Sequence, residues 1–223
     1  IDGFKKVLTN LRFLTLIIIV GGFWSIQGQM YASMPKYVLR TVGEGASPEW
    51  IANINPLVVV LFVVPITQLV RRLKPISSIG IGLFIIPFTA LTMAAAPLLE
   101  GAAGRSVDFA GFEWHPVTLT IVIGVALQGI AECFLSPRFL EFASKQAPPG
   151  EVGLYMGYSH LTTFFAWLFG FVVSGYLLDA YCPDPKTLPA AVQEAHRVAL
   201  ETGAALPEAY AHAHYIWFVF AGV

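Results

Sequence analysis

Glu132 is the one carboxylate in an apolar run from Val117 to Leu135 that is long enough to cross a bilayer. An ionisable group at such depth costs from about 2.5 to above 10 kcal/mol, so it is kept where water, a partner or a substrate meets it. Counted from Pro116, Glu132 lies about 24 Å along a helix axis at ~1.5 Å rise per residue, near mid-membrane. Gln128, Glu132 and Ser136 recur every fourth residue and so share one stripe of a helix. A carboxyl group there can pair with a cationic group or exchange a proton. The plainer alternative is a protonated acid bonded to a neighbouring helix.

Other polar residues fall in neighbouring apolar runs. The first run holds Trp24, Gln27, Gln29, Tyr31 and Pro35, with Gln27 and Tyr31 on one face and Gln29 turned away. Neutral amides inside a span serve as helix-to-helix bonds or as ligands. The second run places Asn53 and Asn55 about two turns into a helix, and the fifth holds Ser159, His160, Thr162, Thr163 and Trp167. His160, Thr163 and Trp167 share a face. This makes His160 a second proton-coupling candidate, set against an interfacial role. His212 and His214, two apart, point to different faces of a helix, so no metal site is expected. No phosphate loop, catalytic triad or zincin motif occurs. No nucleophile and base fall together, so the chain is not expected to be an enzyme, and no cofactor is expected beyond a proton gradient.

The elements that position these residues follow from composition. Hydrophobic residues make up 56% of the chain and charged residues 12%, about half the usual soluble share. The net charge of −1 leaves no electrostatic footprint for nucleic acid. Five segments meet the requirement of roughly 20 mostly apolar residues: about 13–39, 47–70, 76–99, 116–142 and 153–178, with a sixth beginning near His214 and cut off. The expected fold is all-α, a polytopic membrane helix bundle with five complete spans and the start of a sixth. Ser47 reads as an N-cap ahead of Pro48. Pro35, Pro65, Pro87 and Pro137 should interrupt spans. The pairs Gly153 with Gly157 and Gly170 with Ser174 have spacing that suits close helix contact. Cys133 and Cys182 are not placed to pair.

Orientation follows from basic residues near span ends. One side collects Lys5, Lys6, Arg12, Arg71, Arg72, Lys74, Arg138 and Lys145 against three acids. The other has five basic residues against ten acids, which puts the amino end of this chain in the cytoplasm. The external loop 179–213 should carry a helix over Pro189 to Ala204, with Val192, Ala195, Val198 and Ala199 at helical spacing. That helix either lies on the surface as a solvated decoration or caps the outer mouth.

The fourth-span stretch Glu132-Cys133-Phe134-Leu135-Ser136-Pro137, with Leu140-Glu141-Phe142 and Gln146-Ala147-Pro148, resembles the signature of the proton-dependent oligopeptide transporter family. Asn55-Pro56-Leu57, with Pro65 downstream, and Phe23-Trp24 followed by Gln29 resemble two further segments of that family, in the same order. The resemblance implies the carboxyl-terminal half of a twelve-helix transporter of the major facilitator superfamily. It implies an amino-terminal six-helix half as partner, a central site contacted by Glu132 and Asn55, and protons driving uptake of small peptides. Three departures stand out. Gly28 occupies the place of an acid before Gln29, Phe139 that of a glycine, and Arg138 adds a charge beside the Ser136-Pro137 step. Arg138 either snorkels to the cytoplasmic face or reshapes the inner gate.

The expected function is proton-coupled symport of small peptides across the plasma (inner) membrane, with Glu132, Asn55, Gln29 and Ser136 lining the substrate site. A porter for another solute, or a receptor-like homologue without flux, are the alternatives that the departures raise.

Overall fold

The computed structural model describes residues 9–223. Lys5 and Lys6, counted in the charge balance, lie outside the described residues. Among the described residues, five helical segments are long and apolar enough to cross a membrane: Leu11–Ala32, Glu44–Leu69, Pro75–Ala94, Pro116–Gln146 and Val152–Tyr181. The protein is an integral, multi-pass, all-α membrane bundle of the major-facilitator type.

The spans are built in pieces. The first runs as α1 (Leu11–Gln27), α2 (Gln29–Ala32) and α3 (Met34–Thr41). Asn10 starts it, its side-chain carbonyl accepting from Phe13 N at 3.2 Å. The second is α4 (Pro48–Ala52) followed by α5 (Ile54–Leu69). The third, α6 (Pro75–Ala94), continues into α7 (Ala96–Ala103). An antiparallel hairpin follows, β1 (Val107–Phe109) and β2 (Phe112–Trp114), reversed at Ala110 and Gly111, both at positive φ. The fourth span is one long helix, α8 (Pro116–Gln146). The fifth is α9 (Val152–Ser159) and α10 (Leu161–Tyr181). The loop 179–213 carries α11 (Ala190–Thr202), and α12 (Tyr215–Ala221) opens the sixth apolar run.

Several local expectations need correction. Pro65, Pro87 and Pro137 do not interrupt their helices; all three lie inside unbroken ones. A proline deletes a single donor, and a helix continues when a neighbour compensates the loosened turn. In the turn before Pro137, Ser78 Oγ of α6 donates to Phe134 O at 2.7 Å. The breaks fall instead at Gly28, Ser33, Asn53 and His160. Ser47 precedes Pro48 as expected but is left-handed (φ 46°), and its side chain caps nothing. The Asn53 amide turns back to Glu49 O at 2.9 Å instead of entering the span.

Close packing is also distributed differently. A Cβ at Gly153 or Gly157 would meet nothing within 4 Å, whereas one at Gly82 would sit 2.8 Å from Ala131 O and 3.0 Å from Leu135 Cβ. Gly124 faces Met93 and Thr89 O just as tightly. These two glycines, one on each helix, seat α6 against α8. Their partners, Met93, Ala131 and Leu135, are fully buried. Gly170 and Ser174 do pack as their spacing suggests, against the first span.

The helix α11 packs over the end of the first span and is not a free decoration. The face it buries carries His196 and Ala199; Ala195 and Val198 point out. His196 Nε2 donates to Arg40 O at 2.7 Å, and its ring stacks on Tyr210 at 4.6 Å. Arg40 in turn donates to Cys182 O at 2.5 Å, and Arg105 Nη1 donates to Ala204 O at 2.6 Å. Both cysteines are buried and unpaired. His115 caps α8, its Nδ1 accepting from Val117 N at 3.2 Å, and burial lowers its pKa below the ordinary histidine value.

Two predictions follow from this packing. Gly82→Val should cost about 1–3 kcal/mol by overpacking, read as an earlier melting transition in detergent, while Gly153→Ala leaves it in place. The His115 cap needs a neutral Nδ1, so its contribution is present above the ordinary histidine pKa and lost as pH falls through the depressed one. Relative to His115→Asn, which caps at every pH, the parent should lose melting temperature on acidification below pH ~6.5. Parallel curves for the two would contradict this.

Candidate functional site

Because α8 runs straight through Pro137, Gln128, Glu132 and Ser136 keep their common stripe. The first span meets that stripe where α1 ends. Gln27 Nε2 donates to Glu132 Oε2 at 2.9 Å. Gln27 is the last residue of α1, and the break at Gly28 follows it directly. Asn55 approaches from the second span, one residue into α5. Gly129 makes that approach possible: a Cβ there would lie 2.9 Å from Val58 and 3.1 Å from Asn55 O.

The Asn55 amide is close enough to Glu132 to interact with its carboxylate. Its Nδ2 nevertheless makes no well-formed hydrogen bond and stays buried without a partner. Gln128 Oε1, one turn from Glu132, is likewise buried and unpartnered. Buried polar atoms are nearly always satisfied, and one left open costs roughly 1–3 kcal/mol. A donor held only loosely, the Asn55 amide, and an unpartnered acceptor, Gln128 Oε1, therefore flank a carboxylate that is itself half-buried. Such a cluster can hold a cation on Glu132 and offer an N–H to an acceptor beside it. Ser136 lies one turn further along, half-buried.

The structure places Gln29 elsewhere. It is 1% exposed and faces the fifth span, donating to Ser25 O at 3.0 Å and Gly170 O at 3.3 Å. Ser33 Oγ donates to its Oε1 at 2.8 Å and lies 2.7 Å from Ser174 Oγ. Gln29 is thus the centre of an interhelical seam and does not reach Glu132. The reason is helical periodicity: two residues from Gln27, it points to the far side of the span. His160 is exposed at the break between α9 and α10, and no contact joins it to Glu132 among the described residues. Gln27 is the residue that the candidate list lacked. It shares a face with Tyr31, but which helix that face meets is a tertiary fact.

The departures also find physical places. Arg138 neither snorkels out nor stands free. Its Nη2 donates to Val70 O at 2.8 Å, closing the last turn of the second span, and Nη1 pairs with Glu141 at 2.7 Å. Opposite Gly28 lies the Trp167 indole, 3.0–3.1 Å from where a Cβ would be.

Fold and site together define a membrane protein with a mid-span carboxylate ringed by amides. A family model described as the POT family matches residues 2–188, and the chain belongs to that family. It is also similar to the multidrug resistance protein MdtH of Cronobacter sakazakii (strain ATCC BAA-894), 22% identical over 180 residues. That match covers 80% of this chain and 40% of the relative, so the chain spans less than half of that protein's length. No solved structure matches it.

The two glutamines should separate cleanly by mutation. Gln29→Leu breaks a fully buried network and should cost about 1–3 kcal/mol, read as a lower melting temperature. Gln27→Leu removes a donor from a half-open carboxylate and should melt close to the parent while losing substrate affinity. Equal melting losses would contradict the division.

Proposed function

We propose that this chain forms the carboxyl-terminal bundle of a proton-coupled symporter for small peptides. Glu132 meets the peptide's ammonium group and takes up a proton when the site is empty. The observation that carries this reading is the Glu132 carboxylate, held by Gln27 at the middle of a span beside the open Nδ2 of Asn55. A carboxylate in a low-dielectric cavity is a strong partner for an ammonium group. The Asn55 amide, near Glu132 but outside good hydrogen-bond geometry to it, suits a peptide carbonyl next to that amine. Ser136 lines the site one turn away, and Gln29 supports it from behind by fixing the first span to the fifth. His160 stands as a second proton-coupling candidate, exposed at a helix break.

Family membership supports transport, and transporters of this kind bind near the midplane between two bundles. The amino-terminal six-helix half would supply the opposite wall. The charge balance supports a cytoplasmic amino end for this chain and a plasma (inner) membrane address, with α11 capping the outer side.

A second reading has its own support. The similarity to a protein named for multidrug resistance, with Trp167 rather than an acid beside the first span, favours a porter for amphipathic non-peptide solutes.

Full-length transporter in proteoliposomes tests the first reading. An inward proton gradient should drive dipeptide uptake, and Glu132→Gln should cut it about a hundredfold or more. Uptake by Glu132→Gln equal to the parent, at the same pH optimum, would remove Glu132 from the mechanism. Indifference to dipeptides with flux of an amphipathic cation would favour the second reading.

A further inference from the structure

The connection between the third and fourth spans has a property that the carboxylate site does not use. In its hairpin, Val107 stands opposite Trp114, Asp108 opposite Glu113, and Phe109 opposite Phe112. Ala110 and Gly111, both at positive φ, make the tight two-residue turn that such hairpins favour. Residues directly opposite share a face, and faces alternate along each strand. Val107, Phe109, Phe112 and Trp114 therefore form one face, and Asp108 and Glu113 the other. One side of the ribbon is aromatic and the other acidic.

The protein's own packing leaves the aromatic side open. Phe109 is 51% exposed and Phe112 68%. A lone two-stranded ribbon is marginal in water, and like charges directly opposite one another weaken it further. Trp114 Nε1 donates to Phe109 O at 3.1 Å, so the indole brings no unspent donor to whatever covers this face. Its ring centroid lies 6.5 Å from that of Trp50, near the start of the second span. From Pro48 to Leu69 that span rises roughly 33 Å at ~1.5 Å per residue, close to the ~30 Å thickness of a hydrocarbon core. Trp50 therefore stands at the boundary between hydrocarbon and head groups, with the base of the ribbon beside it. Below Trp50, at helical spacing, the exposed residues Leu57, Leu61 and Val64 continue the same apolar stripe down the second span.

We propose that the hairpin is an interfacial anchor: its aromatic face, with Trp50, rests on the phospholipid head-group layer, while Asp108 and Glu113 face water. Lipid is the partner because the patch is continuous with the apolar stripe of the second span and lies at the level where Trp side chains prefer to sit. As a two-stranded sheet, the ribbon leaves the backbone groups of its outer edges to its surroundings. Head groups and water satisfy those groups and hydrocarbon does not, which sets the depth at the interface. Pro116 opens α8 two residues after Trp114, so the anchor holds the level of the span that carries Glu132. This inference does not depend on what Glu132 binds.

The test uses full-length protein in phospholipid vesicles, its native cysteines replaced, with one nitroxide label on Asp108→Cys, Phe109→Cys, Phe112→Cys or Glu113→Cys. Labels at 109 and 112 should collide with dissolved oxygen, relative to a polar nickel chelate, severalfold more than labels at 108 and 113. Equal ratios at all four positions would put the ribbon in water and overturn the proposal. Labels at 109 and 112 immobilised and shielded from both quenchers would also overturn it, because the amino-terminal half or a second copy then covers the face. Tryptophan emission reads the same contact with both phenylalanines intact. Lipid brominated near the head groups should quench it more than lipid brominated near the chain ends, and the excess should shrink in a Trp50→Phe, Trp114→Phe double variant. An excess unchanged in that variant would contradict the anchor.

Discussion

The hydrogen bond from Gln27 to Glu132 is the contact on which the rest of the site depends. A carboxylate in the middle of an apolar span is tolerated only if something offsets its desolvation. Here one oxygen accepts from an amide of the first span, and the side chain stays half-buried between the first, second and fourth spans. The contact shows which face the first span turns toward the fourth, while the seam through Gln29 holds that span to the fifth. Turned by two residues, the same helix would offer Gln29 to the carboxylate and empty the seam to the fifth span.

Around this contact the scaffold divides its labour. The third and fourth spans form a tight pair through Gly82 and Gly124, and α8 is uninterrupted across Pro137. Gly129 brings the second span close on another side of α8, and Arg138 fastens the far end of that span at Val70 O. The first and fifth spans are broken, at Gly28, Ser33 and His160, and joined by a polar seam. A continuous, glycine-packed helix carries the carboxylate, and the segmented first span meets it through Gln27. The helix α11 sits over the tip of the first span through His196 and Arg40.

Much of the fold was legible in the sequence because hydropathy in a bilayer is a one-dimensional constraint. Backbone groups must be satisfied within the span, so an apolar run of sufficient length has little choice. Glu132, its stripe with Gln128 and Ser136, and the turned-away face of Gln29 could be read from spacing alone. The motif around Ser136-Pro137 likewise pointed to the family that the chain belongs to. What could not be read were the pairings between helices. Gln27 and Gln29 are alike in type and depth, and only the neighbouring span tells ligand-facing from structural. Glycine contacts failed for the same reason: Gly153 and Gly157 have favourable spacing but no helix opposite them. Prolines were over-read as breaks, since losing one donor bends a helix less than a glycine or asparagine that redirects the chain.

A substrate site at Glu132 requires that this position open to water between the first, second and fourth spans. Substituted-cysteine accessibility tests it most directly: Glu132→Cys in full-length protein whose two buried native cysteines are replaced, probed with a charged, water-soluble thiol reagent and with a lipid-soluble one. The charged reagent should modify this cysteine rapidly, and bound dipeptide should slow the reaction. Modification by the lipid-soluble reagent alone would place this side chain in the bilayer and contradict it.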